Sequence, residues 1–118
     1  MKPTAEETIK QYVAAWNGSN LEEFKTEFAK CWAAGATYTD PNFDIMGVDA
    51  IAELAQASLE KFPGRNFWVV TLPEYHHNVA LYTWGVEIPG VGNNQGRDYI
   101  EFDEEHKIAR LVSFFPPL

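Results

Sequence analysis

Pro63-Gly64-Arg65-Asn66-Phe67-Trp68-Val69-Val70-Thr71-Leu72 is the stretch where the chain changes its period. Pro63-Gly64 ends a helical pattern. From Phe67 onward the apolar positions recur at a period of two, as in strands. Three helix-like segments precede this point and a run of strands follows it. That order implies an α+β fold, with the helices on one face of a curved, mainly antiparallel sheet. The hollow between sheet and helices is a natural small-molecule site.

Upstream, a helix is expected over residues 48–62, burying Val48, Ile51, Leu54, Ala55, Leu59 and Phe62, and residues 42–47 read as a loop. Before that loop stands Ala36-Thr37-Tyr38-Thr39-Asp40-Pro41, whose Thr and Tyr favour a pleated backbone. Alternation puts Ala36, Tyr38 and Asp40 on one face. Pro41 lacks an N–H and ends the strand. If that face looks inward, Asp40 sits at the rim of an apolar interior, as a structural cap or as a proton acceptor. Asn20 starts a helix with Glu22 and Glu23 in its first turn. Its apolar stripe is Leu21, Phe24, Phe28, Cys31 and Trp32, and Gly35 is expected to end it. Thr4-Ala5-Glu6-Glu7 is a capping box. It opens a first helix with the stripe Ile9, Tyr12, Val13 and Trp16, broken at Gly18. Tyr12 alone in that stripe has a polar tip, and a buried hydroxyl must point at something polar.

Downstream, strands are expected over residues 67–72, 75–88, 96–103 and 107–115, with a candidate bulge at Gly85. Residues 89–94 and Glu104-Glu105-His106 read as turns. No repeat, low-complexity tract or linker interrupts the chain, so residues 1–118 read as a single domain.

The 118 residues are 46% hydrophobic and 22% charged, the balance of a soluble globular domain. Aromatics reach 14%, enough to fill a small core or to line a ligand cavity. The net charge of −8 argues against nucleic acid or an anionic membrane as partner. A single cysteine, Cys31, excludes an intrachain disulfide and a Cys-based metal cluster, and reads as a buried inert thiol. No signal-like N-terminal segment or membrane-length apolar run is present, so the cytoplasm is the expected location.

Asp98 is the second carboxylate of interest. In Arg97-Asp98-Tyr99-Ile100-Glu101-Phe102 it alternates onto the apolar face with Ile100 and Phe102. Burial there disfavours its charged form, and a protonated acid can donate to a developing oxyanion. The alternative is a strand-end carboxylate meeting water or Arg97. His76 and His77, as neighbours on one strand, are expected on opposite faces, one toward the cavity and neither placed to share a metal ion. Arg65 and Arg97 read as surface charges or as receivers of an anionic group. There is no phosphate-cradling loop, nucleophile elbow or His-x-x-x-His. No cofactor or metal is expected.

Several segments together carry a resemblance. They are residues 9–17 (Ile9 to Asn17, with Gln11-Tyr12-Val13-Ala14-Ala15), Cys31-Trp32-Ala33, residues 36–41, Phe62-Pro63-Gly64, His77, Trp84, and Gly96-Arg97-Asp98 with Lys107-Ile108. In order and spacing the chain resembles the nuclear transport factor 2-like (NTF2-like) superfamily, closest to its SnoaL-like polyketide-cyclase branch. The resemblance implies a cystatin-like cone of three helices on a strongly bent sheet enclosing a pocket, often as a homodimer through the sheet. The chain is also similar to the ketosteroid isomerase family. That similarity implies Asp40 as general base, with Tyr12 and Asp98 as oxyanion donors, in proton transfer alpha to a carbonyl. The segment between Asn17 and Asp40 is longer here than in that family. Trp16, Tyr38, Phe43, His77, Trp84 and Phe102 are expected to bind the substrate, an apolar carbonyl compound. The alternative is the same pocket holding a hydrophobic ligand without turnover.

Overall fold

A computed structural model describes residues 2–116. Helix α1 (Ala5–Ala15) opens on the expected capping box, Thr4 accepting from the Glu7 N–H while the Glu7 carboxylate accepts from the Thr4 N–H. Helix α2 (Leu21–Ala29) is capped by Asn20, whose side chain accepts from the Glu23 N–H. It ends earlier than the sequence suggested. Trp32 opens strand β1 (Trp32–Thr39), which pairs in parallel with the last strand, β7 (Ile108–Phe114). Gly35, at φ +74, lies inside β1 where the register shifts between Trp32 and Thr37. The expected helix stop is therefore a strand irregularity, taken by the residue that tolerates left-handed backbone.

Within the expected loop, β2 (Asp44–Met46) folds back antiparallel on β1. Helix α3 (Val48–Lys61) buries Ile51, Ala52 and Ala55. Strand β3 (Asn66–Val69) follows. The expected long strand is a hairpin: β4 (Glu74–His76), a two-residue turn at His77 and Asn78, and β5 (Val79–Ile88). Both turn residues have positive φ, 47 and 62, as a tight hairpin turn needs. Strand β6 (Gly92–Phe102) pairs with β5 without interruption from Val79↔Glu101 to Ile88↔Gly92, so Gly85 is not a bulge. A Cβ on Gly85 would stand 2.7 Å from the Trp68 ring, and one on Gly96 would run into the Trp84 ring. The two glycines make room for indoles lying across the sheet.

The sheet order is β2-β1-β7-β6-β5-β3, with β4 also on β5, and only β1–β7 is parallel. Three helices on this curved mixed sheet form an α+β cone, as the periodicity implied. Ile9, Phe24, Phe28, Ile51, Ile100, Ile108 and Leu111 are fully buried between the layers. One end of the cone is closed. There Tyr75, Phe102 and His106 meet with ring centroids about 6 Å apart. No helix among the described residues is long and apolar enough to cross a membrane.

Candidate active site

The other end is hollow. A cavity of about 260 Å³ lies between α1, α3 and the inner face of the sheet. Tyr12, Asp40 and Asp98 all line it, together with Trp16, Tyr38, Phe43 and Trp84. Two expected substrate contacts do not. His77 sits in the exposed β4–β5 turn, where its Nδ1 is 3.1 Å from Nδ1 of His76. The two rings converge on the outer surface instead of splitting between faces, because His77 is a turn residue. Phe102 does share the inner face of β6 with Asp98. Four residues along a strand is about 13 Å, however, and this takes it to the closed end.

Asp98 stands mid-strand and only 2% exposed. Its Oδ2 accepts from the Tyr82 hydroxyl at 2.6 Å and its Oδ1 from the Trp84 indole N–H at 2.9 Å. Tyr82 is its cross-strand partner on β5, and Trp84 is two residues along the same strand. Ser113, opposite Asp98 on β7, also lines the cavity. Burial pushes the Asp98 carboxyl up to about 6, while Ser113, Tyr82 and Trp84 pull it back by favouring the charged form. Both carboxyl oxygens accept hydrogen bonds, an arrangement that favours the charged form against the pull of burial.

Asp40 lies just beyond β1 and is half-buried. Its Oδ2 accepts from the Tyr38 hydroxyl at 2.7 Å. Its Oδ1 accepts from the N–H groups of Asn42 and Phe43, both at 2.8 Å, and closes the turn through Pro41. The cap and the cavity-lining carboxylate are one residue. Tyr12 is 3% exposed, stacked on Trp32 at 5.8 Å and edge-on to Trp16 at 6.4 Å. Burial, then the charges of Asp98 and Tyr38, hold its phenol well above the usual range, so it keeps its proton and can donate. Tyr82 is held protonated in the same way, burial first.

Tyr82 and Ser113 were not singled out as site residues. A signal for Tyr82 existed: Tyr82 and Trp84 alternate onto one face of β5 and both carry a donor at the tip. Of the two sequence readings of Arg65, surface charge or receiver of an anionic group, the surface position does not hold: it is 5% exposed and lines the cavity. Among the described residues no group of three or more His, Cys, Asp or Glu is placed to hold a metal ion. Cys31 is buried, its thiol pushed up to about 12 by burial.

A buried acid and a phenol thus line an apolar hollow under three helices on a bent sheet, the architecture of the NTF2-like class. The SnoaL-like domain family matches residues 9–111, and the chain belongs to that family. Among solved structures, it is 28% identical to a candidate isomerase of the SnoaL-like family from Agrobacterium tumefaciens, with a TM-score of 0.86, covering 98% of this chain and 100% of that one. An NTF2-like protein of unknown function from Cytophaga hutchinsonii shares the fold at 15% identity and a TM-score of 0.73, covering 99% and 94% of the two chains. A protein with a cystatin-like fold from Methylobium petroleophilum does so at 15% identity and 0.77, covering 100% and 81%. No curated protein matches the chain.

Proposed function

We propose that this protein is a cofactor-independent isomerase or cyclase acting on an apolar carbonyl compound, with Asp98 as the proton acceptor. The observation that carries the reading is the Asp98 carboxylate itself. It is buried on the cavity wall, oriented by Tyr82 and Trp84, and raised to a pKa of about 6. A base titrating near the working pH combines availability with proton affinity. Asp98 takes the proton alpha to the carbonyl, the C–H electron pair becomes the new C=C bond as the C=O π pair moves onto oxygen, and Tyr12 donates to that oxyanion. The enolate is then reprotonated at another carbon by Asp98, or its carbon attacks a second carbonyl carbon and closes a ring, the alkoxide so formed taking the proton from Asp98. Asp40, which the ketosteroid isomerase resemblance makes the base, instead orients Tyr38 and fixes the Asn42–Phe43 rim. The SnoaL-like family membership and the candidate-isomerase neighbour support the reaction class.

The test is hydrogen–deuterium exchange into 2-tetralone, a ketone with acidic alpha positions, followed by NMR. Exchange should be catalysed, and its rate should rise with pH through about 6 and then level. Binding of 2-tetralone without exchange would favour a carrier of hydrophobic ligands. A rate that falls as pH rises through 6 would restore Asp98 as a neutral donor. A homodimer through the outer sheet face, where Trp68 and Phe114 leave apolar surface exposed, belongs to the same proposal; sedimentation equilibrium checks it.

A further inference from the structure

The second charge buried in this molecule is a cation. Arg65 follows the Pro63-Gly64 helix stop and folds back against α3. Its Nε donates to the Ser58 Oγ at 2.9 Å and its Nη2 to the Ala55 carbonyl at 3.1 Å. A guanidinium has five N–H donors, so these two bonds leave three, including both on Nη1, without a partner among the described residues. No carboxylate among those residues lies within ion-pair distance of it. Its flat faces rest on rings, 5.3 Å from the Phe67 centroid and 5.9 Å from that of Phe24. The residue is only 5% exposed, and its free donors are not among the sealed polar atoms, so what exposure it has lies at those donors, where an anion would be received. Here the unused donors belong to a residue of the cavity wall, and Lys61 joins it there.

We infer that the ligand of this cavity carries a carboxylate, received by Arg65 with Lys61 beside it. This rests on the reading of the cavity as a small-molecule site and adds the substrate class: an aromatic or alicyclic keto acid. Arg65 contacts Phe67, Phe67 lies 5.8 Å from Trp84, and Trp84 holds Asp98. The anion-receiving group and the proton acceptor are thus separated by two aromatic rings. A ligand spanning them lays its apolar body over Phe67 and Trp84 and brings its carbonyl toward Tyr12 and Asp98. The same separation keeps the ligand carboxylate away from the Asp98 charge.

The experiment compares two probes of one shape, 2-naphthoate and 2-acetylnaphthalene, by isothermal titration calorimetry on the full chain. A charge-assisted pair should favour naphthoate by about tenfold or more in the unmodified protein, and added salt should reduce that preference. Arg65→Gln should remove the preference while leaving affinity for the neutral ketone within about threefold, and Arg65→Lys should keep part of it. If Arg65→Gln does not fold, Lys61→Gln, at the exposed rim, should lower the preference by about threefold. Equal binding of the two probes by the unmodified protein would overturn the inference. So would an Arg65 change that weakens both probes alike, which is what a purely structural arginine would do. Loss of ketone exchange in Asp98→Asn with the carboxylate preference intact bears on the acid–base reading alone. Exchange without the preference overturns the substrate class alone.

Discussion

Asp98 lies in the middle of β6, 2% exposed, and accepts from two side chains of the neighbouring strand. Asp40 lies one residue past the end of β1, half-buried, and accepts from one side chain and two backbone amides of its own turn. Both line the same cavity. The difference comes from where each strand ends. Asp98 is enclosed by neighbouring strands on both sides, so its charge is held by tertiary contacts and opposed by desolvation. Asp40 is followed at once by Pro41, so the chain turns there and its own amides take up the carboxylate. A carboxylate satisfied by local backbone is good at shaping a rim. One held by distant side chains in a dry wall is better suited to exchanging a proton.

Replacing each acid by its amide is the sharpest way to break this contrast. Asp98→Asn should lower ketone exchange by about 10²-fold or more, the usual scale for loss of a general base, while Asp40→Asn should cost under about tenfold. The reverse ranking, read by the same NMR exchange assay, would transfer the base role to Asp40.

Stability against pH gives the next largest effect. The Asp98 carboxyl titrates at about 6 in the fold against 3.8 without it, so the folded protein binds that proton more tightly. Its contribution is therefore fully present below 3.8 and is lost as pH rises through about 6, a loss of about 3 kcal/mol. Urea denaturation between pH 4 and 7 should show that slope in the unmodified protein, and Asp98→Asn should flatten it.

Gly96→Ala probes the wall that supports Asp98. The added methyl would run into the Trp84 ring and stand 2.9 Å from the Phe114 carbonyl. Thermal denaturation should show about 1–3 kcal/mol of destabilisation. Tyr82→Phe removes a hydrogen bond that favours the Asp98 carboxylate. It should raise the carboxyl pKa by about one unit, measured by carbon-detected NMR titration. The smallest effect belongs far from the cavity: Thr4→Ala should cost about 1 kcal/mol through the α1 cap and leave exchange unchanged.

The fold was legible because it rests on local signals. The caps at Thr4 and Asn20, the helix stop at Pro63-Gly64 and the change to period two each depend on a few neighbouring residues. The errors fell where long-range pairing overrode them. Trp32 fits the apolar stripe of α2, yet its pairing across from Ile108 makes it a strand residue. His76-His77 reads as mid-strand, yet the hairpin closes there, which removed His77 from the pocket. Asp98 was legible as an acid on an apolar face. Its proton affinity was not, because burial sets it first and then Ser113, Tyr82 and Trp84, which come from the two neighbouring strands.

By itself, then, the sequence determined the order of helices and strands, the cone they form, and that Tyr12, Asp40 and Asp98 share faces with apolar neighbours. These follow from side-chain periodicity and turn chemistry, which act over a few residues. Only the tertiary structure decided which acid is dry, which is tied to its own backbone, and that Arg65 is buried in the cavity wall. Desolvation and hydrogen-bond partnership are properties of what packs around a group, and here the packing partners come from other strands and helices.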